Sequence, residues 1–171
     1  FDISCDLTTL ASEPVAVVSA GAKAILDLPR TLEYLETLGV PVIGYGTADL
    51  PAFYTPSSGL KLLHRVDGAE SAARALRSHF AIHSRRGVLL CNPIPESEAL
   101  PNELVERAMQ AALQAAESMQ VGGKALTPFL LGRIATETGL QSVRANRALI
   151  VDNARVAGEV AVSLSGLRNA A

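Results

Sequence analysis

Three short apolar runs, PVAVVSA (14–20), VPVIGYG (40–46) and GVLLC (87–91), constrain this chain more than anything else in it. Each is too short for a buried helix and lacks the apolar/polar alternation of a half-solvated strand. Runs of this kind form strands covered on both faces, the situation in parallel sheets. The segments between them carry helical spacing instead. From Asp27 to Leu38, Pro29 suits a first turn, Leu32, Leu35 and Leu38 share a face, and Gly39 ends the pattern. DGAESAARALRSHFAIH, from 67, opens on a capping aspartate. PNELVERAMQAALQAAESMQ (101–120) is amphipathic and stops near Gly122 and Gly123. Two further helices follow, the first opened by Pro128 and closed by Gly139, and the terminal SGLRNAA is expected to fray.

Strands that alternate with helices specify an α/β fold with a mostly parallel sheet, and such folds gather ligands at the carboxyl ends of the strands. KLLHRV (61–66) is a further short strand, and PAFYTPSSGL (51–60) a loop or broken extended segment. The opening FDISCDL reads as a strand already in progress. With no initiator Met, the chain is expected to be the C-terminal part of something larger, 1–171 being one piece of a single domain.

Composition removes several classes of function. Formal net charge is −2, Trp is absent and aromatics make up 4% of the chain, so neither a phosphate-tracking basic surface nor a base-stacking platform is present. No apolar run is long enough to span a bilayer, and FDISCDL, with neither a basic start nor a long apolar core, is not expected to be a signal peptide. The expectation is a soluble, cytoplasmic or organellar protein that binds neither nucleic acid nor membrane, with Cys5 and Cys91 as reduced thiols. There is no Walker A loop, GxGxxG fingerprint or GxSxG elbow, and His79 and His83 lack a convincing third metal ligand.

Lys23 stands out, because it lies just past the first strand, where a glycine-bearing turn enters a helix. That end of a helix dipole favours anions, so a structural lysine is misplaced there. A lysine that reacts as a neutral amine gains from the same position, since dipole and desolvation both disfavour its ammonium form. An exposed lysine at a helix start is the plain alternative. Asp2, Ser4 and Asp6 would share one face of an extended segment, either to hold a hard cation or polyol or as the solvated face of an edge strand. Asn92, in NPIPE, is either a ligand-bonding amide at a strand end or a turn initiator. Asn146, Asp152 and Asn153 are ligand-facing or surface groups of the last helix.

Taken in order, FDISCDL, PVAVVSAGAKAILDLPRTLEYLETLGVPVIGYGT, LPAFYTPSSG, NPIPE, GKALTPFLLGRIATETG and RANRALIVDNARVA resemble the C-terminal half of the pseudouridine-5′-phosphate glycosidase family, which includes the indigoidine-synthase-A-like proteins. The resemblance covers essentially the whole chain. It implies a layered α/β/α fold, a homotrimer, a divalent metal, typically manganese, and cleavage of the C–C glycosidic bond of pseudouridine 5′-phosphate to uracil and ribose 5-phosphate. By the same resemblance Lys23 is the nucleophile, Asp2 the metal ligand, Ser4, Cys5 and Asp6 the substrate contacts, and Asn146 a substrate-side amide. Cys5 stands where alanine is expected, and Asp152 where asparagine is more usual.

The implied chemistry suits a lysine. A carbon–carbon glycosidic bond leaves no oxygen for a general acid to protonate, so the usual carboxylate pair does not suffice. An amine attacking C1′ of ring-opened ribose forms an imine, which accepts electrons as the protonated uracil carbon leaves. The family's general-acid glutamate belongs to the N-terminal half, so this chain alone is expected to be incomplete. Other readings are a diverged, non-catalytic subunit that binds a sugar phosphate or nucleobase, and another Schiff-base lyase of the indigoidine pathway.

Overall fold

The computed structural model describes residues 5–22, 27–83 and 85–169; Asp2, Ser4 and Lys23 lie outside them. The chain folds as α1 (Cys5–Ser12), β1 (Ala16–Ser19), α2 (Leu28–Thr37), β2 (Val42–Tyr45), β3 (His64–Val66), α3 (Ala69–Ile82), β4 (Val88–Cys91), α4 (Asn102–Ser118), α5 (Leu126–Glu137) and α6 (Gln141–Asn169). The strands pair in parallel in the order β1-β4-β2-β3. Val88 and Leu90 of β4 and Ile43 of β2 turn to one face, against Ala72 and Leu76 of α3 and Val156 and Val160 of α6. Val42 and Cys91 turn to the other, with Leu10 of α1 and Leu35 of α2. Helices on both faces of a parallel sheet are the α/β/α layering expected, and they explain why β2 and β4 are uniformly apolar.

A third cluster joins Val105, Ala108, Ala112 and Ala116 of α4 to Leu130 and Ile134 of α5 and to Ala145 and Leu149 of α6. It also takes in Ala20, which follows β1, and Ile94, which follows β4. The first half of α6 therefore packs on segments beyond the carboxyl ends of the strands, and its second half on the sheet itself. Its middle, near Asp152, crosses the carboxyl edge of the sheet.

Most elements lie where the apolar pattern places them. At α2, Asp27 is the N-cap, accepting from the Arg30 N–H at 3.1 Å, and Pro29 sits in the first turn. Gly39 takes a positive φ of 68° after the last turn. Three expectations fail. Residues from Cys5 onward form a helix, not a strand: Leu10 is buried, Leu7 and Ala11 pack beside it, and Thr8 and Thr9 hydroxyls donate back to the Cys5 carbonyl. Burial of that stripe outweighs the β preference of two threonines. Asp67 does not cap α3, whose N-cap is Gly68; it pairs instead with Arg65 at 2.6 Å. Finally, α6 continues to Asn169, so SGLRN is helical, and Arg77 of α3 donates to the Leu167 carbonyl at 3.0 Å.

Candidate functional site

The carboxyl edge of β1 and β4 is held together by backbone. The Asn92 N–H donates to the Ser19 carbonyl at 2.8 Å, tying the strand ends side by side. The next residues of the β1 turn meet the long loop between β2 and β3. Phe53 N–H donates to the Ala20 carbonyl at 2.9 Å. Gly21, with φ +82°, faces the Pro51 carbonyl so closely that a Cβ there would come within 2.0 Å of its oxygen. Only glycine fits both the backbone conformation and the contact. Phe53 itself has φ 65°, a left-handed conformation uncommon for a bulky side chain, and its ring stands edge-on to Tyr54 at 4.8 Å.

This loop is anchored along its length. Asp49 accepts from the Ser57 hydroxyl at 2.7 Å and the Lys61 ammonium at 2.5 Å, and these bonds, Lys61 first, hold its carboxyl below the usual range. Tyr54 and Thr55 are buried. Burial raises the Tyr54 phenol above its ordinary value, partly offset by a hydrogen bond with Ser142. A loop of this length with buried anchors is a shaped wall, not a tether.

Across the edge stands the middle of α6. Asn92, 5% exposed, uses both amide hydrogens on it: Nδ2 donates to Asp152 Oδ2 at 2.8 Å and to Asn153 Oδ1 at 3.1 Å. Asp152 is held in turn by Arg155, whose Nε donates to Oδ1 at 2.9 Å, and Arg155 also reaches Glu159 at 2.7 Å. These partners raise the Arg155 guanidinium pKa, the Asp152 bond first. One turn before α4, Glu98 takes a two-pronged bond from Arg144 at 2.9 and 3.0 Å, which fixes the NPIPE loop to the start of α6.

Of the residues singled out in the sequence, the structure brings together Asn92, Asp152 and Asn153. Asn146 is half-buried and sits seven residues before Asn153, two turns earlier on the same face of α6. Cys5 and Asp6 head α1 and are exposed. The far end of α1 is at the amino end of β4, where Gly87 N–H donates to the Leu10 carbonyl at 2.7 Å, so both lie one helix length, about 12 Å, from that edge. Asp6 therefore lies on a helix and not on the extended segment expected for it. Sequence reasoning passed over the Gly21–Pro51 contact and Phe53, whose only signals were a glycine after an apolar run and an aromatic in a proline-rich loop.

Among the described residues no group of three or more His, Cys, Asp or Glu side chains converges as a metal site. The His79 and His83 rings lie 5.1 Å apart, and His79 Nε2 is within 2.9 Å of the Arg86 carbonyl, a structural role. Both cysteines are free thiols, Cys5 exposed and Cys91 buried. No described helix is long and apolar enough to cross a membrane.

Residues 1–163 match the family described as indigoidine synthase A-like protein. The chain is 52% identical over 167 residues to a pseudouridine-5′-phosphate glycosidase from Caldanaerobacter subterraneus subsp. tengcongensis, covering 98% of this chain and 54% of that protein. It is 54% identical over 170 residues to the enzyme of that name from Chloroflexus aurantiacus, covering 98% and 56%. The chain thus spans about half the length of the curated relatives it matches. Its fold superposes on the prealnumycin C-glycosynthase AlnA, solved in complex with ribulose 5-phosphate, with a TM-score of 0.92, 39% identity and coverage of 99% of this chain and 56% of that one. It is likewise similar to an indigoidine synthase A-like protein from Thermotoga maritima, with a TM-score of 0.85, 34% identity and coverage of 95% and 54%.

Proposed function

The chain belongs to the indigoidine synthase A-like family, and from that premise we propose that it carries the nucleophile-bearing half of a pseudouridine-5′-phosphate glycosidase. One observation carries this reading: 52% identity, over nearly the whole chain, to a protein of that name. The substrate is pseudouridine 5′-phosphate and the products are uracil and ribose 5-phosphate.

In this reading Lys23, two residues beyond Gly21, supplies the amine that forms an imine with C1′ of ring-opened ribose. The Gly21–Pro51 contact and the Asn92–Ser19 bond support that assignment by fixing the turn from which Lys23 follows. Ser4, Cys5, Asp6 and Asn146 bind the substrate. Positioning by a rigid edge matters because effective catalysis requires reacting atoms already near 3 Å apart. The general acid that protonates the departing uracil carbon comes from the remainder of the polypeptide.

Asp2 is assigned as ligand to a divalent cation, typically manganese. The described residues do not by themselves make up such a site. A homotrimer is the proposed assembly. Exposed Val143, Ile150, Val151 and Val162 on α6 support self-association, because apolar side chains grouped on one helix favour burial.

The likeness to a C-glycosynthase favours one second reading, that the enzyme runs the same bond chemistry toward synthesis on a ketose phosphate. Steady-state assays of the full-length polypeptide distinguish the two. Uracil release from pseudouridine 5′-phosphate, abolished in Lys23→Ala, is the expected result. Absence of release from the unaltered protein, or undiminished release by Lys23→Ala, rejects the assignment.

A further inference from the structure

The Asn92 amide has only one orientation that its surroundings accept. An ionised carboxylate accepts hydrogen bonds and donates none, so the end of the amide that faces Asp152 must be Nδ2. Asp152 is held in place by Arg155, at 2.8 Å. Both Nδ2 hydrogens are then committed to α6, one to Asp152 and one to Asn153. Oδ1 is turned away from Asp152, and among the described residues no group donates to it. Oδ1 is thereby left as an acceptor that a ligand hydroxyl can take. Its backbone N–H is already spent on the Ser19 carbonyl, so the residue sits between the ends of β1 and β4 with one valence left.

We infer that Asp152 is a positioning residue, which locks Asn92 with Oδ1 presented as the acceptor for a hydroxyl of the bound sugar phosphate. The ligand class rests on the function proposed above; the amide orientation does not. An asparagine at position 152 offers Asn92 either a donor or an acceptor, so the lock is lost although size and shape are kept. Exchanging the two residues restores it. The carboxylate then at position 92 accepts from the amide at position 152 and still presents an oxygen to the ligand.

The test compares the full-length polypeptide with Asp152→Asn and with the reciprocal Asn92→Asp/Asp152→Asn. Ribose 5-phosphate binding is read by calorimetry, and thermal unfolding is read alongside. Asp152→Asn is expected to weaken binding about tenfold, the loss of one oriented hydrogen bond, and the exchange to recover most of it. Affinity unchanged in Asp152→Asn, or a folded exchange variant that stays weak, overturns the inference. A merely structural role lowers the melting temperature of both variants and leaves affinity alone. If the unaltered protein does not bind ribose 5-phosphate, the function is wrong, and side-chain amide NMR decides the orientation separately. Nuclear Overhauser effects from the Asn92 Nδ2 protons to Asp152 and Asn153 uphold it. Their absence, or effects to other groups instead, overturns it.

Discussion

Gly21 and Pro51 are packed so that the glycine's missing side chain is the space the proline carbonyl occupies, 2.0 Å from where a Cβ would stand. Backbone freedom and close approach are both demanded at one position, at the end of the strand that leads to Lys23. Gly21→Ala must move the β2–β3 loop or abandon φ +82°. A left-handed alanine costs about 1–2 kcal/mol and overpacking about 1–3 more. The expected loss is therefore about 3 kcal/mol in urea unfolding, with faster amide exchange at Phe53. A variant as stable as the parent contradicts the contact.

Burial pushes the Cys91 thiol from its ordinary 9.0 up to about 12, and raises the Tyr54 phenol as well. A raised acid is protonated longer in the folded state than in the unfolded one. Its stabilising contribution is complete below pH 9 and is lost as pH rises from 9 toward 12, by up to about 1.4 kcal/mol per pH unit. Cys91→Ala should flatten that slope, measured by urea midpoints at pH 8 to 11. The same burial predicts that a thiol reagent labels Cys5 at once in native protein and Cys91 only after unfolding.

Leu90, 1% exposed, packs in the cluster that α3 and α6 build on the sheet. Leu90→Ala is expected to cost about 2–5 kcal/mol, since removal of a buried side chain from β4 forfeits both transfer energy and packing. A loss below about 1 kcal/mol would mean that this face is not closed by α6.

β2 and β4 were readable because burial on both faces removes polar residues from them, whereas β1, apolar in sequence, is an edge strand with Ala16 and Val17 exposed, not covered on both faces. Pro29, the leucine spacing and Gly39 marked α2. Cys5–Ser12 was not readable, because its helical state depends on Leu10 meeting a sheet formed later in the chain. Asn92 looked equally like a turn initiator. Its partners are sixty and sixty-one residues away, and only the crossing of α6 over the strand ends joins them. Asp152 appeared as a departure from a motif, whereas its carboxylate is what orients the amide opposite. Lys23, Asp2 and Ser4 lie outside the described residues, and their proposed roles rest on residue type and resemblance alone.

The imine proposed at Lys23 is covalent and can be trapped by borohydride. The full-length polypeptide is incubated with ribose 5-phosphate and borohydride, then digested and analysed by mass spectrometry. Imine formation expels water and reduction adds two hydrogens, so the peptide bearing Lys23 should gain one ribose 5-phosphate less one oxygen. A modification on that lysine, abolished in Lys23→Arg, is the predicted result. An unmodified Lys23 in a protein that cleaves pseudouridine 5′-phosphate would rule out this lysine as the nucleophile.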